Sequence, residues 1–104
     1  MSFQVRLTVE AEEDLLRLFD FVLERELGRD GDLGLPDRAL RAIKDGIATL
    51  RSSPFTCRKA GQSPFLRELV IPFGNAGYVA LFEVADPAHV VVVAVRHQRE
   101  DDYH

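Results

Sequence analysis

The chain has 104 residues, of which 46% are hydrophobic and 29% are charged, so we expect a single domain spanning residues 1–104 rather than a disordered chain. Thirteen Lys and Arg residues against seventeen Asp and Glu residues give a formal net charge of −4, which disfavours unspecific nucleic-acid binding. Because the longest apolar run covers only residues 90–95 and no secretion signal is visible, we expect a cytoplasmic protein without a membrane segment.

The first half of the chain predicts one short strand and two helices. Residues 3–7 alternate apolar and polar side chains, as a strand with one buried face does. Thr8 suits an N-cap, and apolar residues then recur at helical spacing until the turn at residues 28–34. Pro36 suits the first turn of a second helix, which Ser-Ser-Pro at 52–54 ends. Two such helices form an antiparallel hairpin.

The second half predicts three strands after an irregular segment at residues 54–64. Residues 65–73, 77–84 and 89–96 are rich in Val, Leu, Ile and Phe, and turn motifs at 74–77 and 85–88 separate them. We therefore predict an α+β domain with the order β-α-α-β-β-β. The helical hairpin would pack on a curved, mainly antiparallel sheet of four strands.

Three groups of polar residues have explanations that require neither catalysis nor metal binding. The carboxyl end is rich in His and Asp, but its spacing matches no closed zinc pattern, and we expect neither a metal nor another cofactor. Cys57 stands alone without an evident base to activate its thiol. The favourable interaction of negative charge with a helix start explains the acidic group Glu10, Glu12, Glu13 and Asp14.

Polar residues 96–103 directly follow the last predicted strand, whose composition indicates burial. On a continuing strand, Arg96 and Gln98 face one way, and His97 and Arg99 face the other. Arg67, on the second predicted strand, would lie near them across the sheet. A charged strand end also keeps a sheet edge soluble. The residues alone are therefore consistent with two roles, which are binding of a partner and protection of the sheet edge.

Four segments carry a family resemblance: LTVEAEEDL at 7–15, FLREL at 65–69, GYVALFEV at 77–84 and VRHQREDDY at 95–103. In this order they resemble the RelE/ParE toxin superfamily, the toxin halves of bacterial type II toxin–antitoxin pairs, which include plasmid-stabilisation proteins. The resemblance implies a cognate antitoxin whose extended segment wraps the toxin in a hetero-oligomer. It implies no direct DNA binding by the toxin alone.

RelE-like members of the superfamily cut messenger RNA on the ribosome with basic side chains on the central strands and with groups near the carboxyl end. Under that alternative, Arg67, Arg99 and Tyr103 would be catalytic here. However, Val79 follows Gly-Tyr where the RelE-like pattern commonly has Arg, and Glu68 adjoins Arg67. Loss of one preorganised donor typically costs about 2.7–4 kcal/mol of transition-state stabilisation.

We therefore favour the ParE-like branch, whose members poison DNA gyrase by protein contact and need no catalytic residues. The predicted target-binding residues are Arg67, Arg96, His97, Arg99 and Tyr103. A third hypothesis is a non-toxic relative that survives as an antitoxin-binding module. Residues 1–53 hold eight basic against eleven acidic side chains, a net charge of −3, which favours basic side chains on the antitoxin.

Overall fold

The computed structural model describes residues 2–99, and its elements follow the predicted order. The first half consists of β1 (Gln4–Leu7), α1 (Val9–Gly28) and α2 (Leu35–Ala48). The second half contains β2 (Arg58–Lys59), β3 (Leu66–Phe73), β4 (Ala76–Asp86) and β5 (His89–His97). Neither helix within residues 2–99 combines the length and apolar character that a bilayer crossing requires.

The strands form one sheet with the order β1-β5-β4-β3-β2. Strands β3, β4 and β5 form the predicted antiparallel meander, and β1 lies parallel to β5. The described sheet has five strands rather than the predicted four. The additional strand is β2, which lies inside the segment predicted to be irregular and pairs with β3. Two residues cannot show a strand period, and a cross-strand ion pair joins them to the sheet, with Arg58 Nε 3.1 Å from Glu68 Oε1.

Both helices begin, and the β3–β4 hairpin turns, at the residues that the sequence predicts. The Ala11 N–H donates to Thr8 Oγ1 at 3.1 Å, which caps α1. Pro36 lies in the first turn of α2. Between β3 and β4, Gly74 has a φ of +61° and Asn75 follows without a positive φ, the glycine-first pattern of a tight hairpin.

One face of the sheet packs against both helices and forms the core. Strand β4 contributes alternate side chains to this core: Tyr78, Ala80, Phe82 and Val84. The helices contribute mainly Ala11, Leu15, Leu18, Ala39, Ile43 and Ile47. Because side chains alternate along a strand, Val79, Leu81 and Glu83 lie on the opposite side, which we call the open face.

A β-bulge in β5 decides which of its last residues face the helices. Val92 pairs with Phe82, whereas Ala94 pairs with the adjacent Leu81, so β5 holds one extra residue at this point. Val92 contacts the core before the bulge and Val95 contacts it after the bulge. Each later residue of β5 therefore lies on the opposite face of the sheet from the one that regular alternation would give it.

The pairing of β1 with β5 ends at Val92, so the edge of β5 at the bulge is not covered by β1. There the N-cap residue Thr8 and side chains of α1 bind the backbone of β5. The Val95 N–H donates to Asp14 Oδ2 at 2.9 Å. Thr8 Oγ1 donates to the Val93 carbonyl at 3.4 Å, and Arg17 Nη2 donates to the Val95 carbonyl at 3.5 Å. Asp14 is only 2% exposed, so its interpretation as first-turn charge alone was incomplete: its carboxylate also satisfies a backbone donor.

Candidate functional site

The predicted target-binding residues divide between the two faces of the sheet. Arg96 pairs with Val79 on the open face, whereas His97 pairs with Tyr78 on the helix face. Arg67 lies on the helix face opposite Phe82, towards the β2 edge of the sheet. Arg99 follows the end of β5, and Tyr103 lies outside the described residues. The structure therefore brings His97 and Arg99 together and separates them from Arg96 and Arg67.

Arg67 fastens the segment that precedes β3. Its Nη1 donates to the carbonyls of Cys57 at 2.7 Å and Phe55 at 3.3 Å, and its Nε donates to the Pro64 carbonyl at 3.1 Å. The guanidinium also lies 5.0 Å from the centroid of the Phe55 ring, in range of a cation–π contact. These contacts give Arg67 a structural role, and its proposed contact with a target stays a prediction.

On the open face, Glu68 lies between two arginines. Its Oε1 is 3.1 Å from Arg58 Nε, and its Oε2 is 3.8 Å from Arg96 Nη2. The Glu68 and Arg96 side chains are only 17% and 15% exposed. Val79, which stands where the RelE-like pattern commonly has Arg, is itself buried. An incoming phosphate would therefore meet a carboxylate beside Arg96, which opposes phosphate binding.

His97 and Arg99 adjoin the buried ring of Tyr78 on the helix face. The rings of Tyr78 and His97 meet edge to face, with centroids 5.5 Å apart. The Arg99 N–H donates to His97 Nδ1 at 3.2 Å, so Nδ1 is the acceptor in this arrangement. Burial raises the pKa of Tyr78, an effect that the Arg25 charge opposes, and its hydroxyl is therefore protonated at neutral pH.

A groove of about 690 Å³ runs between α1 and the β3–β4 turn, and we call it the basic groove. Its walls carry His97 and four arginines: Arg17, Arg25, Arg29 and Arg99. Among residues 2–99, no Asp or Glu side chain lines this groove. A chain with a net charge of −4 thus concentrates positive charge beside two of the predicted target-binding residues.

The buried carboxylate of Glu26 holds one end of the basic groove in place. Arg29 Nη2 lies 2.7 Å and Arg25 Nε 3.2 Å from Glu26 Oε2, and the Asp32 N–H donates to Oε1 at 3.1 Å. The hydrogen bond from Arg29, in the first place, lowers the pKa of Glu26, although burial opposes that shift. Glu26 therefore stays ionised and orients both arginines.

The sequence interpretation missed the α1 side of this groove, although a signal was present. Arg17, Phe21, Arg25 and Arg29 recur every four residues, and residues four apart lie on one side of a helix. They adjoin the buried stripe of Leu18 and Val22. What the sequence did not reveal is that this basic stripe borders the same groove as His97 and Arg99.

A second groove, of about 710 Å³, lies between α1, α2 and β1, and we call it the apolar groove. Most of its lining is apolar: Val5, Leu7, Leu15, Leu16, Phe19, Leu40, Ile47 and Ala48. Leu16 is 67% exposed, and Glu12, Lys44 and Arg51 add charge to the walls. The helical hairpin thus leaves part of its apolar surface uncovered.

The metal and thiol hypotheses concern the carboxyl end of the chain and Cys57. No group of three or more His, Cys, Asp or Glu side chains within residues 2–99 is placed to hold a metal ion, while His104, Asp101 and Asp102 lie outside that range. Burial raises the pKa of the Cys57 thiol despite the nearby charge of Arg67. A raised pKa lowers the fraction of thiolate, the form of cysteine that acts as a nucleophile.

Comparison with known proteins identifies a family by sequence and a fold by structure. A family model described as the ParE toxin of the type II toxin–antitoxin system parDE matches residues 5–102. A comparison with curated protein sequences gives no significant match.

Two solved structures show the same fold at low sequence identity. One belongs to the chromosomal ParDE toxin–antitoxin system from P. aeruginosa, with a TM-score of 0.72 and 15% identity over 92% of this chain and 96% of that one. The other belongs to the RelBE2 toxin–antitoxin complex from Mycobacterium tuberculosis, with a TM-score of 0.64 and 19% identity over 96% of this chain and 95% of that one. These similarities confirm the predicted architecture.

Proposed function

Since this chain belongs to the ParE family of type II toxins, we propose that it binds and poisons DNA gyrase and that a cognate antitoxin neutralises it. The main support is the open face of the sheet. There Val79 is buried at the position where the RelE-like pattern commonly has Arg, and Glu68 lies beside Arg96. Cleavage of RNA needs cations for the developing phosphate charge and groups that move protons, whereas inhibition by contact needs only a complementary surface.

The proposed gyrase contact includes His97 and Arg99, which lie together at the basic groove. The test adds purified toxin to gyrase and measures supercoiling and the level of the cleaved DNA complex. We expect inhibition by the wild type and weaker inhibition by Arg99→Glu. The exposed α2 residue Arg41 provides a matched control, Arg41→Glu, which makes the same charge change away from this groove and should inhibit fully.

The same protein sample separates the two alternative functions. If gyrase is unaffected at micromolar toxin while messenger RNA is cut in a reconstituted translation system, the RelE-like ribonuclease replaces our proposal, and Arg67, Arg99 and Tyr103 become the residues to vary. If neither activity is present and cells grow normally during overexpression without a partner, the non-toxic antitoxin-binding relative replaces it.

The antitoxin part of the proposal is supported by the apolar groove and by the two similar structures, which belong to a ParDE toxin–antitoxin system and a RelBE2 toxin–antitoxin complex. An amphipathic segment of the antitoxin would cover the groove in the manner of a helix docked in an apolar cleft. Co-expression with the product of the neighbouring reading frame should give a complex that co-purifies. Failure of that product to bind would contradict the antitoxin assignment.

Two exposed leucines of α1 provide a matched pair for this test. Leu16 lines the apolar groove and is 67% exposed, whereas Leu27 is 58% exposed and lines neither groove. Leu16→Glu should weaken the complex by about tenfold or more, because it places a charge in an apolar interface. Leu27→Glu should leave it intact, and equal weakening by both variants would exclude the apolar groove as the docking site.

A further inference from the structure

We propose that the basic groove binds an acidic linear segment of the antitoxin, one in which an aromatic or branched aliphatic side chain stands between carboxylates. The inference rests on the proposed function because it assumes an antitoxin, and it adds the chemistry of that partner. It also reverses an expectation drawn from composition, since the acidity of residues 1–53 alone favours a basic partner.

The charge of the groove favours an anionic occupant. Among residues 2–99, four arginines and no carboxylate line it. Asp14 lies 3.8 Å from Arg17, and Arg25 and Arg29 share Glu26. Within residues 2–99, the groove lining therefore carries more positive than negative charge. Guanidinium groups bind carboxylates with paired, directional hydrogen bonds, so a run of Asp and Glu side chains fits this lining.

The apolar part of the lining favours a peptide over a nucleic acid. Phe21 is 61% exposed at the groove, and the ring of Phe73 stands 6.2 Å from that of Tyr78. The rings of Phe21 and Phe73 offer contact area to one apolar side chain placed between two acidic ones. A nucleic acid would also meet the repulsion of a chain whose net charge is −4.

The position of both grooves along α1 supports the antitoxin as the source of the segment. Leu16 lines the apolar groove and Phe21 lines the basic groove, and both are mostly exposed on the same helix. An extended chain that crosses α1 contacts both grooves. Its carboxylates would then cover His97 and Arg99, two of the residues that we assign to the gyrase contact, so one segment would both bind and neutralise the toxin.

The test measures fluorescence anisotropy of a short labelled peptide in which pairs of Glu alternate with Leu and Phe. A second peptide, with every Glu replaced by Gln, controls for the apolar contacts. We expect the acidic peptide to bind the full chain at micromolar concentration. Replacement by Gln, or the variant Arg99→Glu, should weaken binding by about tenfold or more, and added salt should weaken the binding of the acidic peptide.

Variants away from the basic groove make the test specific. Arg41→Glu changes the charge equally on α2, and Leu27→Ser provides a control for Phe21→Ser on α1. Only Arg99→Glu and Phe21→Ser should weaken peptide binding, with unchanged circular dichroism showing that each variant folds. Equal weakening by Arg99→Glu and Arg41→Glu would overturn the site.

Two further outcomes would overturn the inference. The first is absence of peptide binding to the wild type, and the second is tighter binding of a single-stranded oligonucleotide that Arg99→Glu abolishes. Either result removes the acidic-segment proposal while co-purification with the antitoxin still supports the proposed function. Conversely, failure of the antitoxin to co-purify contradicts the proposed function even where the peptide binds.

Discussion

Replacing Asp14 with alanine tests the link between α1 and the bulge of β5. The Asp14 side chain is 3% exposed, and its Oδ2 accepts the Val95 N–H at 2.9 Å. A hydrogen bond to a charged group contributes about 1.5–3 kcal/mol, and a buried donor left unsatisfied costs about 1–3 kcal/mol. The two figures partly describe the same loss, so we do not add them. We expect Asp14→Ala to lower the free energy of unfolding by about 3 kcal/mol.

The assay is urea denaturation followed by circular dichroism, with thermal melting as a second measure. For a domain of this size a loss of about 1 kcal/mol lowers Tm by roughly 4–8 °C, so Asp14→Ala should lower it by more than about 10 °C. Asp14→Asn keeps an oxygen acceptor without the charge and should lose about 1 kcal/mol. Hydrogen exchange of the Val95 amide should accelerate most in the alanine variant.

The exposed neighbour Glu13 provides the matched control. Glu13→Ala removes the same charge from the same helical turn and should change stability by no more than about 0.5 kcal/mol. If Asp14→Ala and Glu13→Ala prove equally destabilising, helix-start electrostatics explain both residues. The reasoning about the bulge would then be refuted.

Three further predictions concern the backbone, the response to acid and the segment before β3. Gly77→Ala should lower the free energy of unfolding, measured by urea denaturation, by about 3 kcal/mol or more. A Cβ at residue 77 would clash with the Ile71 carbonyl oxygen, and φ there is +153°. Gly28→Ala should be nearly neutral, because a Cβ at residue 28 would meet no neighbouring group within 4 Å. The pKa of Glu26 is lowered from 4.5, so its stabilising contribution is present above pH 4.5 and is lost as the pH falls through the lowered value. Glu26→Gln should therefore flatten the acid side of a Tm-against-pH curve, and an unchanged slope there would contradict the ion-pair assignment. Arg67→Ala should make the segment at residues 54–64 more sensitive to limited proteolysis than the wild type, and an unchanged cleavage rate would show that the carbonyl contacts do not hold it.

The sequence by itself determined the order and type of the main elements. Helical spacing and strand alternation are local properties, and Thr8, Pro36 and the glycine of the β3–β4 turn act on neighbouring backbone groups. These features were therefore readable without knowledge of the fold. The four motif segments also led to the family that the comparison identified.

Tertiary structure alone decided how the polar residues combine. Strand β2 has no readable period, and its pairing depends on β3. The bulge in β5 sends Arg96 to the open face and His97 to the helix face, and a one-residue insertion of this kind depends on partners far away in sequence, such as Asp14. The basic groove likewise joins a stripe of α1 to the end of β5, and local periodicity cannot predict which distant elements meet because their meeting depends on how the whole chain packs.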